Sequence, residues 1–301
     1  MHVNYQRSRK VSAMNHLFGM TCATITPMFA DGSIDLESAA NLYRHLIASD
    51  VHCLYPNGTN SESLSLKKEE REALAQRCVR EASDRAVVYI QCGALDVQES
   101  YSHVLHAKSI GADGAGLMTP VFFPVDEPGM KAYYTCALDL AQDFPVYVYN
   151  IASRTGNDVS VDLMSSLSSQ YRNLLGIKFS SSDLQRLIQY VNIKGFDVLI
   201  GNDRLALACL RLGGKGYVSG PGAAFPRLYA SLYEAFKAGE LAKTMQIQQS
   251  ITHILEQMKD IPEIPAIKYL LMRQGVIAHD TCRPPLRALT PDEKKQMDTL
   301  L

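Results

Sequence analysis

A (β/α)8 (TIM) barrel with a C-terminal helical appendage is the fold this sequence predicts. Eight short β-type runs recur at intervals of roughly 20 to 35 residues. An amphipathic, helix-patterned stretch follows each run. The runs are continuously apolar instead of alternating, as parallel strands covered on both faces should be. A doubly wound open sheet is the alternative. It would usually place a glycine-rich dinucleotide turn after the first strand, and "TPMFADGSID" is not one.

The strand runs are "MTCATITPM" (20–28), "HCLYPN" (52–57), "AVVYIQCG" (86–93), "GAGLMTP" (114–120), "PVYVYN" (145–150), "LLGIKFS" (174–180), "DVLIGN" (197–202) and "GKGYVSG" (214–220). Val, Ile, Thr and Tyr carry most of them, and turn-forming Pro, Gly or Asn closes most of them. After the first comes "DLESAANLYRHLIAS", with helical periodicity. After the second comes "KKEEREALAQRCVREAS", which opens acidic and runs into Arg77 and Arg80, as a helix dipole favours. Past the eighth helix, near residue 238, three more helical stretches remain: "GELAKTMQIQQSITHILEQMK", "PEIPAIKYLLMRQG" and "PDEKKQMDTLL". No low-complexity linker precedes them. The predicted organisation is an N-terminal tail (1–17), a barrel (18–238) and a C-terminal helical region (239–301). The tail is basic and polar and lacks an apolar signal core.

Composition narrows the function. The 301 residues are 47% hydrophobic and 20% charged, ample for a large soluble core. A net charge of -1 gives no footprint for nucleic acid or an anionic membrane. No apolar run reaches the ~18 residues of a membrane helix. The seven cysteines are dispersed without a C-x-x-C pair, which predicts free, mostly buried thiols in a reducing cytoplasm. His103 and His106 share a helical face flanked by Ser102 and Lys108 and read as surface histidines.

Barrel active sites form at the C-terminal ends of the strands. There the sequence places "NGTNSES" (57–63), Tyr149 and Asn150 followed by "IASRTG" (151–156), Lys178, "GNDR" (201–204) and "SGPGAAFP" (219–226). Lys178 stands inside the apolar run "LLGIKFSSSD". Burial disfavours an ammonium, and a neutral amine can attack a ketone to form a Schiff base. A phenol within reach could shuttle the protons. The competing readings are a lysine that snorkels to solvent, a core tyrosine at Tyr149 and a turn hydroxyl at Thr59. No Asp/Glu/His set with metal-ligand spacing accompanies them, and the chemistry calls for no metal and no cofactor.

"GTNSES", "YNIASRTG" and "GIKFSSSD", in this order, resemble the class I aldolases of the dihydrodipicolinate synthase and N-acetylneuraminate lyase family. The resemblance runs from about Phe18 to Leu289 and includes "TPMFADGSID", "GADGAGLMTP", "GGKGYVSGPGAAFP" and "RPPLRAL". It implies that Lys178 is the Schiff-base lysine, Tyr149 the proton-shuttling phenol and Thr59 the hydroxyl that links the phenol into a relay. It implies that Asn60, at the second hydroxyl position of a "GTTGE"-like loop, helps hold the carboxylate of pyruvate, and that Val218 packs near it. Ser61 replaces a usual glycine. Arg154 corresponds to the arginine that grips the carboxylate of aspartate semialdehyde in the synthases. Asp203 matches half of an acidic pair that contacts sugar hydroxyls in the lyases, and Arg204 replaces the other half. Phe122 falls where the synthases carry a relay tyrosine, and a phenyl ring cannot pass a proton. Leu95 and Val121 match the synthases' lysine feedback site poorly.

The expectation is therefore a Schiff-base lyase acting on pyruvate, or another 2-oxo acid, and an aldehyde. Arg154 favours 4-hydroxy-tetrahydrodipicolinate synthesis. Phe122 and Asn60 favour a keto-deoxy sugar acid. A 2-oxo-acid-binding paralogue without turnover, and a barrel that uses "SGPGAA" as a phosphate nest, are the readings from other classes. The family resemblance implies a homodimer or homotetramer. Phe122 and Phe123, after the fourth strand, read either as interface aromatics or as core residues.

Overall fold

The computed structural model describes residues 15–301. Eight parallel strands close into a barrel in chain order, β1 pairing with both β2 and β8. They are β1 (Gly19–Cys22), β2 (Cys53–Leu54), β3 (Val87–Gln91), β4 (Gly114–Met118), β5 (Val146–Asn150), β6 (Leu174–Phe179), β7 (Asp197–Ile200) and β8 (Gly216–Ser219). All eight fall inside the predicted runs or overlap them. The first is much shorter than "MTCATITPM", because its neighbour β2 offers two paired residues and the chain beyond Cys22 already belongs to the mouth of the barrel.

The outer ring comprises α1 (Leu36–Ile47), α2 (Lys68–Ala82), α3 (Val97–Ser109), α4 (Glu127–Ala141), the single turn α5 (Ala152–Thr155), α6 (Val161–Gln170), α7 (Leu184–Val191), α8 (Ala206–Arg211) and α9 (Pro226–Lys237). The chain supplies their caps. Asp35, Asp96, Asp126, Ser160 and Asp183 each accept a backbone N–H of the first turn of α1, α3, α4, α6 and α7; such a cap contributes ~1 kcal/mol. Then follow α10 (Leu241–Gln257), α11 (Glu263–Arg273) and α12 (Pro291–Asp298). No helix among the described residues is long and apolar enough to cross a membrane.

The last helices are bound into the barrel mouth. Lys268 of α11, wholly buried, places its Nζ 2.5 Å from Glu62 Oε1 and 2.6 Å from the Thr281 carbonyl. The Arg283 backbone N–H donates to the other Glu62 oxygen at 2.8 Å, and its guanidinium forks onto Glu70 at 2.8 and 2.6 Å. Glu62 takes a left-handed backbone, φ 56°. Ser61 does not need one: its hydroxyl donates to the Thr24 carbonyl inside a short 3-10 turn (Thr59–Ser61).

Two expectations change. His103 is buried, not a surface residue. The inward side of α3 carries it next to Arg71, with Nε2 3.1 Å from Glu99 Oε1, and burial and the nearby cations Arg71 and Lys68 push its pKa down to about 3. At the opposite end of the chain, Leu17 is fully buried, its N–H donating to the Tyr147 hydroxyl at 3.2 Å, and His16 Nδ1 lies 2.5 Å from Asp197 Oδ2. These residues seal the barrel floor; residues 1–14 of the predicted tail lie outside the described residues. The seven cysteines are free, five of them buried, Cys136 exposed and Cys282 between.

Candidate active site

Strand register sets the site. Tyr149 on β5 is paired with Lys178 on β6, so the two side chains are neighbours on one face. That face is the barrel interior because of a register shift. Val146 pairs with Leu174, but Tyr147 pairs with Gly176, leaving Leu175 as an extra residue. Ile177 and Phe179 consequently pack outward among the helices, while Leu175 and Lys178 both turn inward. The sequence run is apolar on both faces and carries no sign of this bulge.

Lys178 is 4% exposed. Its Nζ stands 3.9 Å from the centre of the Tyr149 ring and 4.7 Å from that of Tyr55. The Tyr149 hydroxyl lies 3.1 Å from Thr59 Oγ1. A lysine that escapes to solvent is thereby excluded: this amine stays between two aromatic faces.

One cavity of about 630 Å³ at the C-terminal mouth is lined by all seven residues singled out from sequence: Lys178, Tyr149, Thr59, Asn60, Arg154, Val218 and Asp203. They differ in how free they are. Val218 is a buried wall. Arg154, on α5, is exposed at the rim. The Asn60 amide donates to Glu263 Oε1 at 2.9 Å, so this side chain bridges the loop after β2 to the start of α11. It lies flat over Gly220, where a Cβ would come within 1.9 Å of Asn60 Nδ2. Asp203 is buried, and its Oδ2 accepts from Ser219 Oγ at 2.7 Å and from the Tyr229 hydroxyl at 3.1 Å. Burial, reinforced by the Glu263 carboxylate, pushes its pKa up to about 7 against those two bonds. Arg204 pairs with Glu256 at 2.7 Å at the edge of the mouth.

Sequence reasoning missed Glu263, which meets Asn60 across 203 residues of chain. It missed Tyr55, packed against Lys178 Nζ, and the cavity's serine wall of Ser180, Ser181 and Ser182. Contacts so distant in sequence leave no local pattern, although the serines were in view beside Lys178. Among the described residues no three His, Cys, Asp or Glu side chains converge to hold a metal.

A family model, the dihydrodipicolinate synthetase family, matches residues 16–301. The chain belongs to that family. An uncharacterized DapA-like lyase of Halobacterium salinarum is 31% identical over 283 residues, covering 94% of this chain and 92% of the relative. A 4-hydroxy-tetrahydrodipicolinate synthase of Methanoculleus marisnigri is 30% identical over 292 residues, covering 94% and 98%. A solved structure of a prophage protein of the same family from E. coli K12, in complex with pyruvate, superposes with a TM-score of 0.90 at 29% identity, over 94% of this chain and 97% of that one. Membership makes this chain a class I lyase. Within the family frame Phe122 is a surface residue: it is 77% exposed, has φ 78° and stacks edge-on against Phe123 at 5.0 Å.

Proposed function

We propose that this protein is a Schiff-base lyase that holds pyruvate, or another 2-oxo acid, on Lys178 and joins it to, or releases it from, an aldehyde. The observation that carries the reading is the buried Lys178 amine beside a tyrosine whose hydroxyl touches a threonine hydroxyl. The amine lone pair attacks C2 of the oxo acid. The carbonyl oxygen takes up protons by way of Tyr149 and leaves as water, so that a neutral amine, a ketone and one proton give an iminium and water. The iminium draws electrons from the C2–C3 region. Loss of a C3 proton gives an enamine that attacks the aldehyde, and the reverse sequence cleaves the same bond. Thr59 holds the Tyr149 hydroxyl in place and passes its proton on. The likeness to a family member seen with pyruvate supports the choice of oxo acid.

Arg154 supports an aldehyde with a carboxylate tail, because a planar guanidinium at the rim suits one. That favours a dihydrodipicolinate synthase-like reaction with aspartate semialdehyde. A keto-deoxy sugar acid is the second reading. Three consecutive serines line the cavity, and Asn60 is turned toward Glu263, an arrangement suited to a hydroxyl-rich chain. A binding-only role leaves the Tyr149–Thr59 contact without a purpose. Seven free thiols support a reducing cytoplasm, and the exposed Phe122–Phe123 pair supports a homodimer or homotetramer.

Incubation with pyruvate and borohydride tests the mechanism: a mass adduct on the peptide containing Lys178 is expected. An adduct on another lysine, or none, overturns it. A panel of aldehydes offered with pyruvate separates the two substrates, since turnover confined to aspartate semialdehyde selects the first.

A further inference from the structure

The iminium carries a positive charge in a place where no carboxylate makes direct ion-pair contact with the nitrogen. Among the described residues no carboxylate forms an ion pair with Lys178 Nζ; the Asp203 carboxyl, whose charge does act on Lys178, is tied by its hydrogen bonds to Ser219 and Tyr229. What surrounds the nitrogen is aromatic. Tyr149 covers one side, and its hydroxyl is already engaged with Thr59. An adjacent side, at about a right angle to it, belongs to Tyr55, just past the end of β2, with its ring centre 4.7 Å from Nζ and 6.2 Å from the Tyr149 ring, the two planes at 85°.

Tyr55 is fully buried, and its hydroxyl has no hydrogen-bond partner among the described residues. A buried, unpaired hydroxyl is unfavourable for folding, so stability alone does not explain a tyrosine here. Strand β4, two along in the barrel, makes room for it: a Cβ on Gly116 would stand 1.8 Å from the Tyr55 hydroxyl oxygen. The site thus gives up a side chain on β4 to seat an aromatic ring under the reacting nitrogen. The face of such a ring is the negative end of its quadrupole, and its attraction for a cation is strongest where water is excluded.

We propose that the π face of Tyr55 stabilises the positive charge of the Lys178 iminium, with Tyr149 as the second, perpendicular face of the same aromatic corner. The proposal rests on Lys178 forming that iminium. It assigns Tyr55 to holding the charge while Tyr149 moves protons, two tasks that one phenol could not perform from one position.

The test replaces the ring charge without changing its shape. Tyr55→Phe keeps the face and removes only the unpaired hydroxyl. The same position is then filled with phenylalanines carrying one, two and three ring fluorines, which withdraw charge from the face at nearly constant size. For each protein the pyruvate concentration giving half-maximal borohydride trapping on Lys178 is measured, together with Tm. Tyr55→Phe is expected to stay within about two-fold of the parent. Each fluorine is expected to raise the half-maximal concentration, by about ten-fold in total across the series, with Tm unchanged, on the scale of a desolvated cation–π contact. Tyr55→Leu is expected to match the end of the series. A flat fluorine series in folded protein overturns the role of Tyr55 while leaving the lysine mechanism standing. Absence of any Lys178 adduct in the parent overturns both.

Discussion

On the proposed mechanism Tyr149 and Thr59 divide one proton path between them, and their substitutions should separate it from imine formation. Tyr149→Phe keeps the aromatic wall beside Lys178 but loses the hydroxyl that meets Thr59 at 3.1 Å. Steady-state kinetics should show kcat down about 100- to 1000-fold, with pyruvate still trapped on Lys178 at long times. An unchanged kcat would remove the phenol from the mechanism. Asp203 gives a prediction in pH. In the folded protein its carboxyl keeps a proton up to about pH 7, against an ordinary value of 3.8. The folded state therefore binds more protons than the unfolded state between those values, and Asp203 lowers stability as pH rises through that window. Asp203→Asn has no such titration and retains an acceptor for Ser219. Its Tm relative to the parent should climb between pH 5 and pH 8, by an amount corresponding to at most ~3 kcal/mol. A pH-independent difference contradicts the assignment.

At the scale of elements, the barrel strands were legible because parallel strands buried on both faces are short, apolar and bounded by turns, and the eight runs overlap the eight strands. Which residues face inward was less legible. A strict two-residue alternation would turn Leu175 and Lys178 to opposite faces, and only the extra residue at Leu175 brings both into the barrel. The candidate site was legible residue by residue, since strand ends converge in this architecture, but its support from α11 was not. One helix holds the loop after β2 at two points: Glu263 meets Asn60, and Lys268 meets Glu62. Lys268→Met should cost about 3–5 kcal/mol in urea unfolding, because it leaves Glu62 buried without its cation. The same change should raise KM for the oxo acid more than it lowers kcat. Near-parent stability would mean that the pair is not the loop's anchor.

The whole molecule joins a rigid barrel to a helical region that closes over its mouth. In the proposed reaction the groups assigned to the imine chemistry lie on β5, β6 and the loop after β2, while the groups assigned to the aldehyde come from α5, the loop after β7 and the start of α11, all lining one cavity. In that proposal chemistry and specificity fall to different elements, which is why the family was readable from the sequence and the aldehyde was not. Phe122 and Phe123, 77% and 70% exposed, form a stacked apolar pair on the loop after β4. Sedimentation should find a homodimer or homotetramer, and Phe122→Asp with Phe123→Asp should shift it toward monomer; a monomeric parent contradicts the interface. The central claim concerns a single bond. A crystal of this protein soaked with pyruvate should show continuous density from Lys178 Nζ to C2 of the ligand, with the Tyr149 hydroxyl beside it. Pyruvate bound in the cavity with a clear gap between Nζ and C2, or bonded to a different lysine, would contradict the account.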